Sequence, residues 1–203
     1  IETATKNCSV SLAKNGDTIT LREIAEEGYS HAEKLHVFIE EIIAENKISF
    51  EDLNAIAVSQ GPGSYTGLRI GVSAAKGLCY ALNIPMIAID TLQSLAAQIS
   101  ISKGIIIPMI DARRMEVFSA IYDKSLNTLK PVSAEIITEE SYQTNEEEIH
   151  FLGDGASKCK EFLHKSNFIF YDEIIYPSAK QMSLLSFEKY KNTPNSSFIS
   201  STM

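Results

Sequence analysis

The sequence predicts an α/β chain of two similar halves, each a mixed sheet with flanking helices. Three observations carry this expectation. The first half reads hairpin, helix, strand, helix, strand, the order of an α/β unit. The second half opens on two adjoining strands as the first does, a weak internal repeat. In the first half, residues 59–77 read Ser-Gln-Gly-Pro-Gly-Ser-Tyr-Thr-Gly-Leu-Arg-Ile-Gly-Val-Ser-Ala-Ala-Lys-Gly, with five glycines and one proline at a strand–turn–helix junction.

The elements follow in order. Residues 8–13 and 18–24 alternate in hydropathy around Asn15-Gly16, a hairpin turn signal. Ser30 is placed to cap a helix over residues 31–46, with Leu35, Phe38, Ile39, Ile42 and Ile43 on its apolar face. Residues 55–58 form a short buried strand. Ser64 or Thr66 caps the next helix, which runs to about Asn83. Strand 86–89 and helix 91–100 complete this half. Strands 105–110 and 117–122 open the second half as a hairpin, joined through Asp111-Ala112-Arg113-Arg114. A short helix is predicted over 138–144, a strand over 150–152, a helix over 156–164 and a strand over 168–171. Ser178, behind Pro177, caps a last helix to about Tyr190. These spans give an N-terminal lobe 1–102, a C-terminal lobe 103–190 and a polar, fraying tail 191–203.

Composition narrows the function. A chain of 203 residues buries enough surface to need no staples. Its three cysteines, Cys8, Cys79 and Cys159, fit neither a disulfide framework nor a zinc spacing, and they point to a reducing cytoplasm. No apolar run reaches a membrane span and no signal peptide is visible. With 26 acidic against 18 basic residues and a net charge of −8, the chain is a poor lone binder of nucleic acid. A more basic partner is expected to hold any RNA.

The glycine junction admits two readings. Free N–H groups at a helix N-terminus attract anions, which makes Gly61, Gly63, Ser64, Thr66 and Arg69 a candidate phosphate site. Yet Thr66 stands where a dinucleotide fingerprint has its last glycine, and Leu68-Arg69 follow Gly67 where a P-loop needs Lys and Ser or Thr. The other reading is a tight turn for close packing. Gly67, Gly71, Ala75 and Cys79 form one row of small residues, and Arg69, Ser73, Lys76, Tyr80 and Asn83 a polar stripe. Such a helix either lies deep in its own domain or is covered on two sides. His31 and His36 are spaced wrongly for a helical metal pair, and His150 and His164 have no ligand-like neighbours. Ser64 lies outside a nucleophile elbow. Glu2 and Asp111 stand at strand ends, one per half, where they cap turns or face a cleft; Arg113 and Arg114 bind phosphate or lie on a hairpin surface.

The stretch from Ser59 to Gly71, with Ala74-Ala75-Lys76-Gly77-Leu78 after it, resembles the signature of the TsaB (YeaZ) family. Ile1-Glu2-Thr3-Ala4-Thr5 resembles that family's first strand and turn, entered partway along the strand. Ser30-His31-Ala32-Glu33-Lys34-Leu35 resembles its first helix, and the run from Ile110 to Phe118 its second-lobe hairpin. Gly153-Asp154-Gly155 and Pro177-Ser178-Ala179 also fit, whereas the family's C-terminal Pro-x-Tyr segment has no counterpart in 191–203. The resemblance implies the two-lobed fold of actin-like ATPases (ASKHA, RNase H-like). Both turns that would hold ATP phosphates in that superfamily, Glu2-Thr3-Ala4-Thr5 and Asp111-Ala112-Arg113-Arg114, lack the glycine that permits close approach. By resemblance the chain is thus a non-catalytic scaffold without metal or cofactor, with ATP binding weak or absent. Its implied partners are TsaD, the transferase for adenosine 37 of ANN-decoding tRNAs, and TsaE in the complete complex. It would self-pair when TsaD is absent and meet tRNA only through the complex. The implied partner face is His31, Leu35, Phe38, Ile39 and Ile42 on the first helix, with Gly67, Leu68, Gly71, Val72 and Ala75 on the second. Asp111 and Arg113 join the candidate anion residues. The rival expectation is a sugar or acetate kinase-like ATPase; a peptidase has no residues to support it.

Overall fold

The computed structural model describes residues 1–25, 31–143 and 146–192. The expected Ser30 cap, residue 144 and the tail from 193 lie outside them. The chain divides into two units, Ile1–Thr91 with the chain from Ser178 onward, and Leu92–Pro177.

In the first unit, β1 (Cys8–Lys14) and β2 (Asp17–Ile24) form the expected hairpin. Asn15 and Gly16 hold φ of 55° and 91°, the positive values that a tight hairpin turn requires. Ile1 and Glu2 supply the next strand position. Glu2 and Ser9 exchange backbone bonds of 2.8 and 2.9 Å. On the other side the Ile1 nitrogen donates to Ala57 O at 2.8 Å, and the Ser59 N–H donates to Ile1 O at 3.1 Å. Beyond lie β3 (Ile56–Ser59) and β4 (Met86–Ile89), paired in parallel. The order is β2, β1, residues 1–2, β3, β4.

Helix α1 (His31–Glu45) buries Leu35, Ile39, Ile42 and Ile43, the i, i+4, i+7, i+8 face its sequence predicts. Helix α2 (Tyr65–Leu82) begins at Ser64, whose Oγ accepts the Gly67 N–H, and ends at Asn83 in the left-handed conformation.

The second unit contains α3 (Thr91–Ala96) from Leu92 onward, β5 (Ile105–Asp111), β6 (Glu116–Tyr122), β7 (Thr128–Ile136), β8 (Ile149–Leu152), α4 (Asp154–Cys159) and β9 (Phe168–Tyr171). Its order is β7-β6-β5-β8-β9, antiparallel on one side of β5 and parallel on the other. The first unit repeats this order with residues 1–2 in the place of β5. One face of the sheet packs Ile107, Met109, Val117, Ile149 and Phe151 against Ala156 and Cys159. The other packs Ile106, Ile110, Ala120, Tyr122 and Leu152 against Leu92 and Leu95. The predicted repeat is therefore real, and both halves are mixed sheets with flanking helices.

Several boundaries move. The final helix, α5 (Ala179–Asn192), belongs to the first unit, because Ala179 and Met182 bury with Ile87 and Ile89 of β4. Ser11 Oγ donates to Ala179 O at 2.8 Å, and Thr18 Oγ1 to Ser183 Oγ at 2.8 Å. The lobe boundary falls between Thr91 and Leu92 rather than after 102, since Leu92, Leu95 and Ala96 enter the second core. Residues 139–143 are turns instead of a helix, and α3 and α4 stop short of their predicted ends. Strand β7 was not anticipated: it is an edge strand, mostly exposed, with Pro131 inside it.

Candidate functional site

The glycine junction closes onto the chain's own beginning. Gly61 and Gly63 have φ of 103° and 155°, where residues with a Cβ are strained. The Ser64 N–H donates to Ala4 O at 2.6 Å. A Cβ at Gly63 would stand 2.2 Å from Ala4 O, one at Gly67 2.1 Å from Thr3 O, and one at Gly71 2.2 Å from Thr3 Oγ1. Thr3 Oγ1 in turn donates to Gly67 O at 2.9 Å. Residues 2 to 5 are buried beneath this contact.

Six of the ten residues expected at the partner face are buried. Gly67 and Gly71 are buried because they let α2 lie directly on the turn after residues 1–2, and Ala75 is buried in the core. Leu35, Ile39 and Ile42 are likewise core, packed with Val10, Val58 and Ala75. None of these six side chains is open to a partner. His31, Phe38, Leu68 and Val72 are half-buried. His31 Nε2 lies 2.9 Å from Thr5 O, so that nitrogen carries the donating proton and the ring ties α1 to the same turn.

The junction is also poorer in anion donors than its sequence suggests. The Ser64 N–H goes to Ala4 O and the Gly67 N–H to Ser64 Oγ. Ser64, Thr66 and Arg69 are exposed, and the Arg69 guanidinium sits 5.3 Å over the Tyr65 ring.

Another face of α2 is available. A shallow recess of about 730 Å³ opens between α1 and α2, lined chiefly by Ala32 and His36 on one helix and Tyr65, Arg69, Ile70 and Ala74 on the other. The predicted polar stripe of Arg69, Ser73, Lys76, Tyr80 and Asn83 is exposed, and Arg69 and Ser73 line the recess. Tyr65 and Tyr80 are 74% and 79% exposed, unusually open for aromatic residues. Sequence reasoning missed Ile70, Ala74 and Leu78 as half-buried lining of this recess, though their i, i+4, i+8 spacing on α2 marks a second apolar strip.

The strand-end acids have opposite surroundings. Glu2 is fully buried; its Oε1 accepts the Ala4 N–H at 2.6 Å and its Oε2 has no partner. Burial pushes its carboxyl up to about 7, against the pull of the Ala4 amide. Glu2 therefore faces no cleft. Asp111 is exposed at the end of β5. Burial raises its carboxyl, but the Lys158 ammonium and the Arg113 N–H, which donates at 2.8 Å, outweigh this and hold it below the usual range. The Asp111 N–H donates to Asp154 Oδ1 at 2.9 Å, and burial pushes the Asp154 carboxyl up. Arg113 is exposed on the hairpin tip. Among the described residues no cluster of His, Cys, Asp and Glu is arranged to hold a metal, and no helix is long and apolar enough to cross a membrane.

The family model for TsaD, tRNA N6-adenosine threonylcarbamoyltransferase, matches residues 23–192. The tRNA threonylcarbamoyladenosine biosynthesis protein TsaB of Escherichia coli is 31% identical over 195 residues, covering 90% of this chain and 82% of that protein. TsaB of Bacillus subtilis is 33% identical over 132 residues, 65% of this chain and 57% of that one. The structure of YeaZ from Pseudomonas aeruginosa superposes with a TM-score of 0.80 at 21% identity, covering 94% of this chain and 91% of that chain. That last likeness establishes the fold.

Proposed function

We propose a role for this chain from one premise: it belongs to the TsaB (YeaZ) family of tRNA threonylcarbamoyladenosine biosynthesis proteins. The role is that of a non-catalytic accessory subunit. It scaffolds and activates TsaD for threonylcarbamoyl transfer to adenosine 37 of ANN-decoding tRNAs in the cytoplasm. TsaE joins the complete complex, tRNA is met only through the assembly, and the chain self-pairs when TsaD is absent.

One observation carries the non-catalytic reading. The turn after residues 1–2 stands where an actin-like ATPase would cradle phosphate, and α2 seals it through Gly63, Gly67 and Gly71. A phosphate needs open backbone N–H groups, and here the turn's Ala4 N–H goes to Glu2 and its Ala4 O takes the Ser64 N–H. The recess between α1 and α2 supports the docking half of the reading, with Ile70, Ala74, Leu78 and Tyr65 as its apolar contacts.

Co-purification with TsaD of the same organism, followed by a tRNA modification assay with and without the chain, tests this role. Ser73→Arg adds a long cation at the edge of the recess without touching the core. It is expected to leave the chain folded and to abolish TsaD capture. Calorimetry with ATP and magnesium on the pure chain is expected to show weak binding or none. Tight binding with hydrolysis would overturn the scaffold reading in favour of a kinase-like ATPase.

A further inference from the structure

We propose that the Arg113–Arg114 tip of the β5–β6 hairpin is a contact for the phosphates of a structured RNA. Arg113 and Arg114 hold φ of 72° and 50°, two consecutive left-handed residues that both carry a Cβ. Gly, Asn and Asp tolerate such φ values most readily, and a longer side chain is strained there. The tip is nonetheless well closed. The Glu116 N–H donates to Arg113 O at 3.1 Å, the Ala112 N–H to Glu116 O at 3.1 Å, and the Arg113 N–H to Asp111 Oδ1 at 2.8 Å. Two guanidiniums are therefore presented from a fixed point.

Neither guanidinium is tied down, although the Arg113 charge helps hold the Asp111 carboxyl low. Among the described residues, neither guanidinium has an ion pair within 4 Å or a side-chain hydrogen bond. The acids nearest in the fold are Asp111, Asp154 and Glu116. Asp111 is closed by Lys158, whose Nζ also donates to Glu116 O at 2.8 Å. Asp154 is tied to the Asp111 N–H. A local conformational rule is thus broken to expose two cations in a chain of net charge −8. Guanidinium forks match phosphate oxygens, and in so acidic a chain an RNA contact is a point on the surface, never a broad patch.

The source of the RNA rests on the proposed function; the phosphate contact does not. The test uses the full chain, alone and assembled with TsaD, and a fluorescein-labelled, unmodified tRNA transcript, titrated by anisotropy at several KCl concentrations. Arg113→Ala/Arg114→Ala and Arg113→Asn/Arg114→Gly are each expected to weaken binding roughly 10-fold. Each should also flatten the dependence of log K on log [KCl] by about 1–2. Lys14→Ala, at the exposed hairpin end of the first unit, should leave the tip's share of that slope intact. The Asn-Gly variant should melt ~2–4 °C higher as the strain is relieved. Unchanged affinity and slope in both double variants would overturn the proposal, as would a loss seen only in a variant that melts early. If polyglutamate binding falls in both variants while tRNA binding does not, the tip serves an acidic polypeptide and the RNA assignment is wrong. TsaD capture is measured on the same proteins. A wild-type chain that fails to capture TsaD removes the scaffold role while leaving the salt-slope result to stand alone.

Discussion

The two units share a strand order and treat the end of their central strand in opposite ways. In the first, Glu2 and the turn behind it are sealed under the N-terminus of an 18-residue helix. In the second, Asp111 and its arginine turn lie at the surface beside a 6-residue helix. The sealing device is common to both. A Cβ at Gly153 would stand 2.1 Å from Met109 O, and one at Gly155 3.0 Å from the Ile110 carbonyl carbon. Glycines after the fourth strand thus bring a helix start onto the central strand in each unit. The difference is how far that helix reaches over the turn. In the first unit it reaches far enough to cover the turn with the start of α2.

The sharpest way to break this comparison is to add one methyl group to each device. Gly67→Ala places a Cβ 2.1 Å from a backbone oxygen that has no room to move. It is expected to cost about 3 kcal/mol. Gly153→Ala meets the same distance and also has a φ of 102°, so its cost should be as large. Hydrogen exchange separates the two. Gly67→Ala should lower protection in β3 and α2 and leave β8 and β9 unchanged, and Gly153→Ala should do the reverse. Equal losses in both units from either change would mean that the units do not hold these contacts separately.

The two acids should respond to pH with opposite signs. The folded chain keeps Glu2 protonated up to about pH 7, whereas the unfolded chain ionises it from its ordinary value of 4.5. Stability from this group is therefore fully present below 4.5, falls as pH rises to about 7, and is flat above. At about 1.4 kcal/mol for each pH unit, this amounts to roughly 3 kcal/mol. Glu2→Gln keeps an oxygen for the Ala4 N–H and cannot ionise. Denaturant unfolding between pH 4.5 and 8 should show the wild type losing about 3 kcal/mol more than the variant. A parallel pair of curves would place Glu2 in contact with water. Asp111 is held low, so its contribution is present above its ordinary 3.8 and is lost as pH falls through the depressed value.

Much of this architecture is visible in the chain. Asn15-Gly16 sets the first hairpin, and the i, i+4 apolar residues of α1 set its buried face. The small-residue row on α2 announces close packing. It does not announce what comes close, because Thr3 is 64 residues away from Gly67 and no local pattern links them. Six of the ten residues expected at the partner face lie buried for that reason: a bare helix face looks the same whether its neighbour is another protein or a turn of its own chain. The assignment of α5 failed similarly, since Ala179 and Ser9 meet across 170 residues. β7 escaped because an exposed edge strand needs no alternation of apolar and polar residues.

Gly77 offers a smaller change on α2. It lies six residues beyond Gly71, the nearest of the sealed glycines, and a Cβ there would meet nothing within 4 Å. Gly77→Ala is expected to stabilise the chain by about 0.5–1 kcal/mol, the ordinary gain of replacing a mid-helix glycine. The sign matters more than the size. Two glycines of one helix should respond in opposite directions to the same methyl group, as a midpoint shift in urea. Gly77 also borders the α1–α2 recess, so TsaD capture by a stabilised Gly77→Ala chain reports on how closely a partner approaches there.

The smallest effect belongs to the open acid of the second unit. Lys158 closes Asp111 at the surface, where an ion pair is worth at most about 1 kcal/mol. Lys158→Met should therefore barely move the unfolding midpoint. It should release the Asp111 carboxyl upward in a carbon-detected NMR titration, because the ammonium is what chiefly opposes burial there. It would also uncover a carboxylate beside Arg113, which can then turn back onto it. If the arginine tip exists to keep its charge outward, that single change should weaken any polyanion bound at the tip while leaving stability nearly untouched. A large loss of stability instead would make Lys158 a structural strut and the exposed turn of the second unit as dependent on its own packing as the sealed turn of the first.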